Sequence, residues 1–384
     1  MNDDPVEPTA RAASPSDAPV VWLHIGTMKS GTSYIQAMLG RNRDALRANG
    51  VLYPGRTWQE QVAAVRDALG ARGGARPDVS GDWSTMRDEI LAWRGERAIV
   101  SMELLSLAEP PRVRAIVESL VPAEVHVILT VRDLARVIPS AWQESTQNRQ
   151  TWTWPAYVAS LTGQSNEEPT AFKRFWRQHD VAEIAATWSS AVGRERVHIV
   201  VVPPPGGARD ELWRRFCSVA GIVAADYQGA EKIRGNPAVG AASAEFLRRL
   251  NVELGRDLDI VTYEKLVKRF LAKSTLGHRT TESRLVLPER YAAWATAMAR
   301  QMIEALRSLD VDVAGDLEEL LPVARPTGDA DSQSEISEAE IADAGLHAVE
   351  ALVLRLSDAP SDGQPSSPGA GSSPRDAGEA VGQS

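Results

Sequence analysis

Residues 20–50 read VVWLHIGTMKSGTSYIQAMLGRNRDALRANG, and their order decides the fold. The apolar run over 20–25 predicts a buried strand, residues 26–31 form a glycine loop, and a helix starts at Thr32. Ile35, Met38, Leu39 and Leu46 recur in helical rhythm, and Asn49-Gly50 is a stop signal. A strand that runs through Gly-x-x-x-x-Gly into a helix is a phosphate cradle. The glycines let backbone N–H groups turn inward, and the helix N-terminus favours an anion. In the common nucleoside-triphosphate loop the lysine follows the second glycine. Here Lys29 precedes Gly31 by two positions, and Thr32 and Ser33 follow directly.

Downstream, the pattern predicts helices over 58–69 and 83–94, a short strand over 98–101 ending at Glu103, and a helix over 112–120. Residues 125–131, VHVILTV, read as a central strand covered on both faces. Strands alternating with helices in this way are the pattern of a parallel sheet with crossover helices. Residues 134–190 are mostly helical and rich in aromatics, among them Trp142, Trp152, Trp154, Tyr157, Phe172, Phe175, Trp176 and Trp188. Another buried strand, starting at Val197, is stopped by three prolines, and helices follow over 212–220, 241–254, 259–273 and 288–308. The fold class is therefore α/β: a P-loop-like parallel sheet flanked by helices, with a further helical region and disordered tails.

Composition bounds the rest. A chain of 384 residues with 43% hydrophobic content can bury a substantial core. No run of about 18 apolar residues exists to span a membrane, and the first residues lack the basic and apolar regions of a secretory signal. A cytoplasmic setting is expected. The single cysteine, Cys217, excludes an internal disulfide framework and reads as a core residue. The net charge of −9 is uneven: residues 323–384 hold eleven acidic against three basic residues, and 1–19 hold four against one. The body between is near neutral, which argues against a general nucleic-acid binder but allows a local cationic pocket. Three regions follow: a disordered segment 1–19, a main domain 20–322, and an acidic tail 323–384 with one amphipathic helix at 335–357. That helix packs on the body, on a second copy or on a partner.

The second phosphate signal follows the 125–131 strand. Arg132 emerges at a strand's carboxyl end, where open α/β sheets bind ligands, and Asp133, Arg136 and Ser140 come after it. A guanidinium holds a phosphate bidentately, and a serine hydroxyl adds a donor. An isolated Arg-Asp pair would more often be a surface ion pair. Together with the glycine loop, it points to a nucleotide phosphorylated at both ends.

Gly26-Thr27-Met28-Lys29-Ser30-Gly31-Thr32-Ser33 with Arg132 and Ser140 resembles the sulfotransferase superfamily over roughly residues 20–310. His24-Ile25-Gly26, Gln36 and the GVLYPG turn resemble its bacterial members. The resemblance implies that the loop binds the 5′-phosphosulfate of 3′-phosphoadenylyl sulfate (PAPS), and that Arg132 and Ser140 bind its 3′-phosphate. The activity it implies is transfer of a sulfuryl group to a hydroxyl, or an amine, of a carbohydrate or other small acceptor. Two positions depart from the family's pattern. Leu134 stands where proline usually follows Arg-Asp, and Pro139 immediately precedes Ser140.

Within that resemblance Lys29 is placed to neutralise the bridging oxygen, while Thr32, Ser33 and backbone amides hold the 5′-phosphate. Glu103 occupies the position where carbohydrate-type members carry a glutamate base; alternatively it complements a helix dipole. No metal is expected. Lys232, Arg234 and Gly235 lie in a loop where the family places further 3′-phosphate contacts, and a solvated basic loop reads equally. His24 and His126 read as structural, and His179 and His198 have no supporting context. The tryptophans of 142–188 read as core packing rather than as a ring-stacking wall. A P-loop kinase with a displaced lysine and a non-catalytic nucleotide-binding scaffold are the alternative readings.

Overall fold

The computed structural model describes residues 18–70, 81–208, 210–227, 229, 239–279, 282–323 and 336–357. The expectations for most of segment 1–19, for Lys232, Arg234 and Gly235, and for the end of the tail fall outside these residues.

Six parallel strands form one sheet: β1 (Val20–Gly26), β2 (Val51–Leu52), β3 (Arg97–Ser101), β4 (Val125–Val131), β5 (Val197–Val201) and β6 (Asp312–Ala314). Their spatial order is β2-β3-β1-β4-β5-β6. The chain runs from β1 to the edge strand β2, returns to β3 between them, and then crosses to β4, β5 and β6 on the other side. The crevice outside the carboxyl ends of β1 and β4 is therefore the switch point at which such sheets bind ligands.

Alternation along the central strands divides the core into two layers. Val21, Leu23 and Ile25 of β1, with Val127 and Leu129 of β4, meet Ile90, Ile116 and Trp188. Trp22, Ile99, Ile128 and Val200 face the opposite way, onto Ile35, Met38, Leu39, Trp213 and Phe216. Cys217 lies in that second layer, and burial pushes its thiol pKa up. The edge strands β2 and β6 have two and three residues, too short for periodicity to reveal, and β2 falls where the sequence reads as a turn. The opening helix divides at Asn42, whose side-chain amide donates to the Met38 carbonyl at 2.9 Å, giving helices Thr32–Arg41 and Arg43–Ala48.

A third core contains no strand residue. Trp142, Trp152, Trp154, Tyr157 and Phe175 pack with Leu247, Tyr263 and Leu271 from the later helices. These aromatics are core residues, as their helical context indicates. Among the described residues no helix is long and apolar enough to cross a membrane. The Glu338–Ser357 helix docks on the body by burying Ile341, Ala344 and Ala348.

Candidate active site

Because β1 lies between β3 and β4, three distant sequence signals become neighbours. Gly26 ends β1, Glu103 follows β3, and Arg132 follows β4. At Gly26, with φ of 106°, an added Cβ would stand 3.1 Å from the Glu103 Cβ. The glycine thus permits both the left-handed turn and the approach of the segment after β3.

The loop hangs from β4 through Thr130. The Thr130 carbonyl accepts the Thr27 N–H at 2.9 Å and the Thr27 hydroxyl at 3.3 Å. The Thr130 hydroxyl donates to the Gly26 carbonyl at 3.2 Å and lies 2.9 Å from Ser30 Oγ, which also donates to the Thr27 carbonyl. His24 ties the three strands together, with Nδ1 2.7 Å from Ser101 Oγ and Nε2 3.2 Å from Thr130 Oγ1. With the Thr130 hydroxyl given to Gly26, the network is satisfied when His24 carries its proton on Nε2. Burial pushes the His24 pKa down to about 3, so the ring is neutral and structural.

Thr27 and Ser30 are buried in this network, so their side chains brace the loop. Thr32 is buried, Met28 and Gly31 are half-buried and Ser33 is exposed. The Thr32–Arg41 helix begins at Gly31 with no side-chain cap and no acid in its first turn. Its N-terminal amides and positive dipole end are left for an anion.

Arg132 supplies the second anion feature. One of its terminal nitrogens donates to the Lys29 carbonyl at 3.3 Å, and its buried Nε has no hydrogen-bond partner among the described residues. Burial, with Arg136 and Arg284 nearby and only Asp133 opposing, pushes its pKa down to about 10. Asp133 itself is committed elsewhere: its carboxylate caps the Leu134–Gln147 helix through the Arg136 N–H at 3.0 Å and pairs with the Arg136 guanidinium. Arg136 also donates to the Pro203 carbonyl at 3.0 Å. Asp133, which is buried, is thus paired with Arg136 rather than with its sequence neighbour Arg132. The helix continues through Pro139, and the Ser140 hydroxyl donates back to the Arg136 carbonyl at 3.0 Å. It would have to rotate to donate to an anion.

Glu103 opens the short turn Glu103–Leu107. Gln36 Nε2 donates to its Oε2 at 2.8 Å and to the Ser101 carbonyl at 3.2 Å, fixing the carboxylate against the cradle helix. The buried Tyr53 phenol lies close by: burial raises its pKa to about 12, with Arg43 opposing and Glu103 adding.

Lys29, at φ 61°, occupies the left-handed region within the loop. Its ammonium pairs with Glu144 Oε2 at 3.1 Å rather than with Glu103. Burial would raise the Glu144 pKa, but Lys29, with Lys268 and His179 further off, outweighs it and holds the carboxyl below its ordinary value. Lys268 donates to Asn148 Oδ1 at 2.7 Å from the π-helix Glu264–Thr275. His179 is buried with an unpartnered Nε2, and burial pushes its pKa down to about 3 against the pull of Glu144.

Thr130, Glu144 and His179 were not singled out by their sequence context. Thr130 reads as one more β-branched strand residue. Glu144 had a usable signal, since Arg136, Ser140 and Glu144 repeat at i, i+4 and share a helix face. Lys29 and Glu144 lie on separate elements, and His179 looks like any histidine ending a helix. His126 meets His198 at 3.0 Å and Glu124 at 2.7 Å near the amino end of the sheet, away from the cradle. Among the described residues, no group of three or more His, Cys, Asp or Glu side chains is placed to hold a metal ion.

No family model and no curated protein matches this sequence. Among solved structures, the crystal structure of a sulfotransferase from Alicyclobacillus acidocaldarius is similar over 64% of this chain and 99% of that one, with 14% identity and a TM-score of 0.35. A likeness of that size decides neither fold nor function.

Proposed function

We propose that the protein is a PAPS-dependent sulfotransferase that needs no metal and acts on a hydroxyl, or an amine, of a carbohydrate or other small acceptor. One observation carries the reading: β3, β1 and β4 are neighbours, so a carboxylate, an anion cradle and an arginine without an ion pair end side by side. The residues fit a doubly phosphorylated donor. The uncapped N-terminus at Thr32 and Ser33 suits its 5′-phosphosulfate, and the unpartnered Nε of Arg132 suits its 3′-phosphate, with Ser140 beside it.

In the transfer, the bond from sulfur to the bridging oxygen of the donor breaks while a bond from sulfur to the acceptor oxygen forms. The acceptor's proton passes to the Glu103 carboxylate, held by Gln36. Charge developing on the bridging oxygen is met by Lys29, which leaves Glu144 to reach it. The metal-dependent kinase reading draws less support, because Asp133, its nominal metal ligand, is already paired with Arg136.

The test is calorimetric titration with adenosine 3′,5′-bisphosphate and with AMP. The wild type should prefer the bisphosphate, and Arg132→Ala should erase the preference. Equal binding of the two nucleotides by both proteins would refute the reading.

A further inference from the structure

The Glu338–Ser357 helix carries two apolar faces, and only one is used by its own body. The docked face buries Ile341, Ala344 and Ala348. Its rotation is fixed by Arg249, which binds Glu338 at 2.6 and 2.7 Å, and by Arg279, which binds Asp343 at 2.7 Å. Arg355 lies 4.3 Å over the Phe270 ring at the far end. On the opposite face stand Leu346, Val349, Val353 and Leu356, exposed by 70, 55, 59 and 73%. Their steps of three, four and three residues follow the a/d spacing of a coiled-coil seam. The docking contacts prevent the helix from rolling this face inward.

We infer that this face is where two copies of the chain associate, as an antiparallel helix pair about a twofold axis. The segments outside the described residues lack the large apolar side chains that would cover such a face. Segments 1–17, 71–80, 230–238, 324–335 and 358–384 contain no leucine, phenylalanine, tyrosine or tryptophan. The stripe does complement itself. In antiparallel coiled coils an a residue faces a d residue of the other helix. Centring the pair between Val349 and Val353 sets Leu346 against Leu356 of the second copy, and Val349 against its Val353. Each layer is matched in size, and the same patch serves both chains, as a twofold interface requires. A parallel pair would instead align the two helix dipoles unfavourably. Because the body already holds the helix, pairing carries no nucleation cost.

The experiment is sedimentation velocity on the full chain, with and without Val349→Asp and Val353→Asp together. At about 100 μM, two decades above a micromolar dissociation constant, the wild type should sediment with twice the 41.6 kDa chain mass. The double variant should sediment as a monomer with unchanged far-ultraviolet circular dichroism. Orientation is read from the single variants Val349→Cys and Val353→Cys: an equimolar mixture should oxidise to the mixed covalent dimer, whereas a parallel pair would instead give covalent dimers of each variant alone and overturn the orientation. A monomeric wild type overturns the inference, as does a dimer that survives both aspartates. A monomer that instead floats with phosphatidylcholine vesicles through the same four residues also overturns it.

Discussion

Replacing Glu144 with glutamine tests how the resting site holds its lysine. The Lys29 ammonium lies 3.1 Å from the Glu144 carboxylate, with side chains 30 and 41% exposed. An ion pair this accessible to water is worth about 0.5–1 kcal/mol. If Lys29 must give it up to reach the nucleotide, removing the carboxylate should tighten binding of adenosine 3′,5′-bisphosphate by about two- to fivefold. Deleting a negative charge beside an anion site would also help an anion through the long-range field. A double-mutant cycle with Lys29→Ala separates the two effects. Competition for Lys29 predicts that Glu144→Gln tightens binding in the native background and does nothing once the lysine is gone. A field effect predicts the same gain in both. Titration calorimetry at about 0.15 M salt, where the screening length is about 8 Å, keeps the field contribution small. Equal gains in both backgrounds, or no gain in either, would refute the competition argument.

Thr130→Val keeps the shape of the side chain but strips a buried hydroxyl from the Gly26 carbonyl, Ser30 and His24. It should cost about 2–4 kcal/mol in urea unfolding, with Thr130→Ser recovering most of the loss; a valine variant as stable as wild type would remove Thr130 from its role. Glu103→Gln should bind the bisphosphate normally while transfer of labelled sulfate to acceptors in a cell extract falls by at least about 100-fold, and unchanged turnover would move the base elsewhere. His24 and His179 are neutral in the fold, with pKa values pushed to about 3 by burial, against 6.5 unfolded. The unfolded chain therefore binds more protons between these values. Stability should be full above about pH 6.5 and fall below it by about 1.4 kcal/mol per pH unit for each ring. Urea midpoints across that range should show the slope, and His179→Phe should reduce it.

Much of the framework was legible because it is written in contiguous residues. The 125–131 strand and the 241–254 helix emerge with the boundaries their patterns indicate, and the buried tryptophans follow from their helical context. Strands β2 and β6 were not legible, because two or three residues cannot display alternation. Asp133 was read beside Arg132, its neighbour in sequence, yet a helix turn brings Arg136 to it instead.

The cradle depends on local backbone geometry: a strand, two glycines in left-handed conformation and a helix N-terminus, all within Val20–Arg41. Sequence by itself determined that feature, since each part is set by the conformational freedom and hydrogen-bonding capacity of adjacent residues. The tertiary structure decided which groups share the site. Sheet order brings Glu103 and Arg132 to opposite sides of Gly26. His24 meets Ser101 across 77 positions and Thr130 across 106, and Lys29 rests on Glu144 rather than Glu103. Those contacts depend on strand pairing and on the reach of side chains through a packed core, which no local pattern encodes.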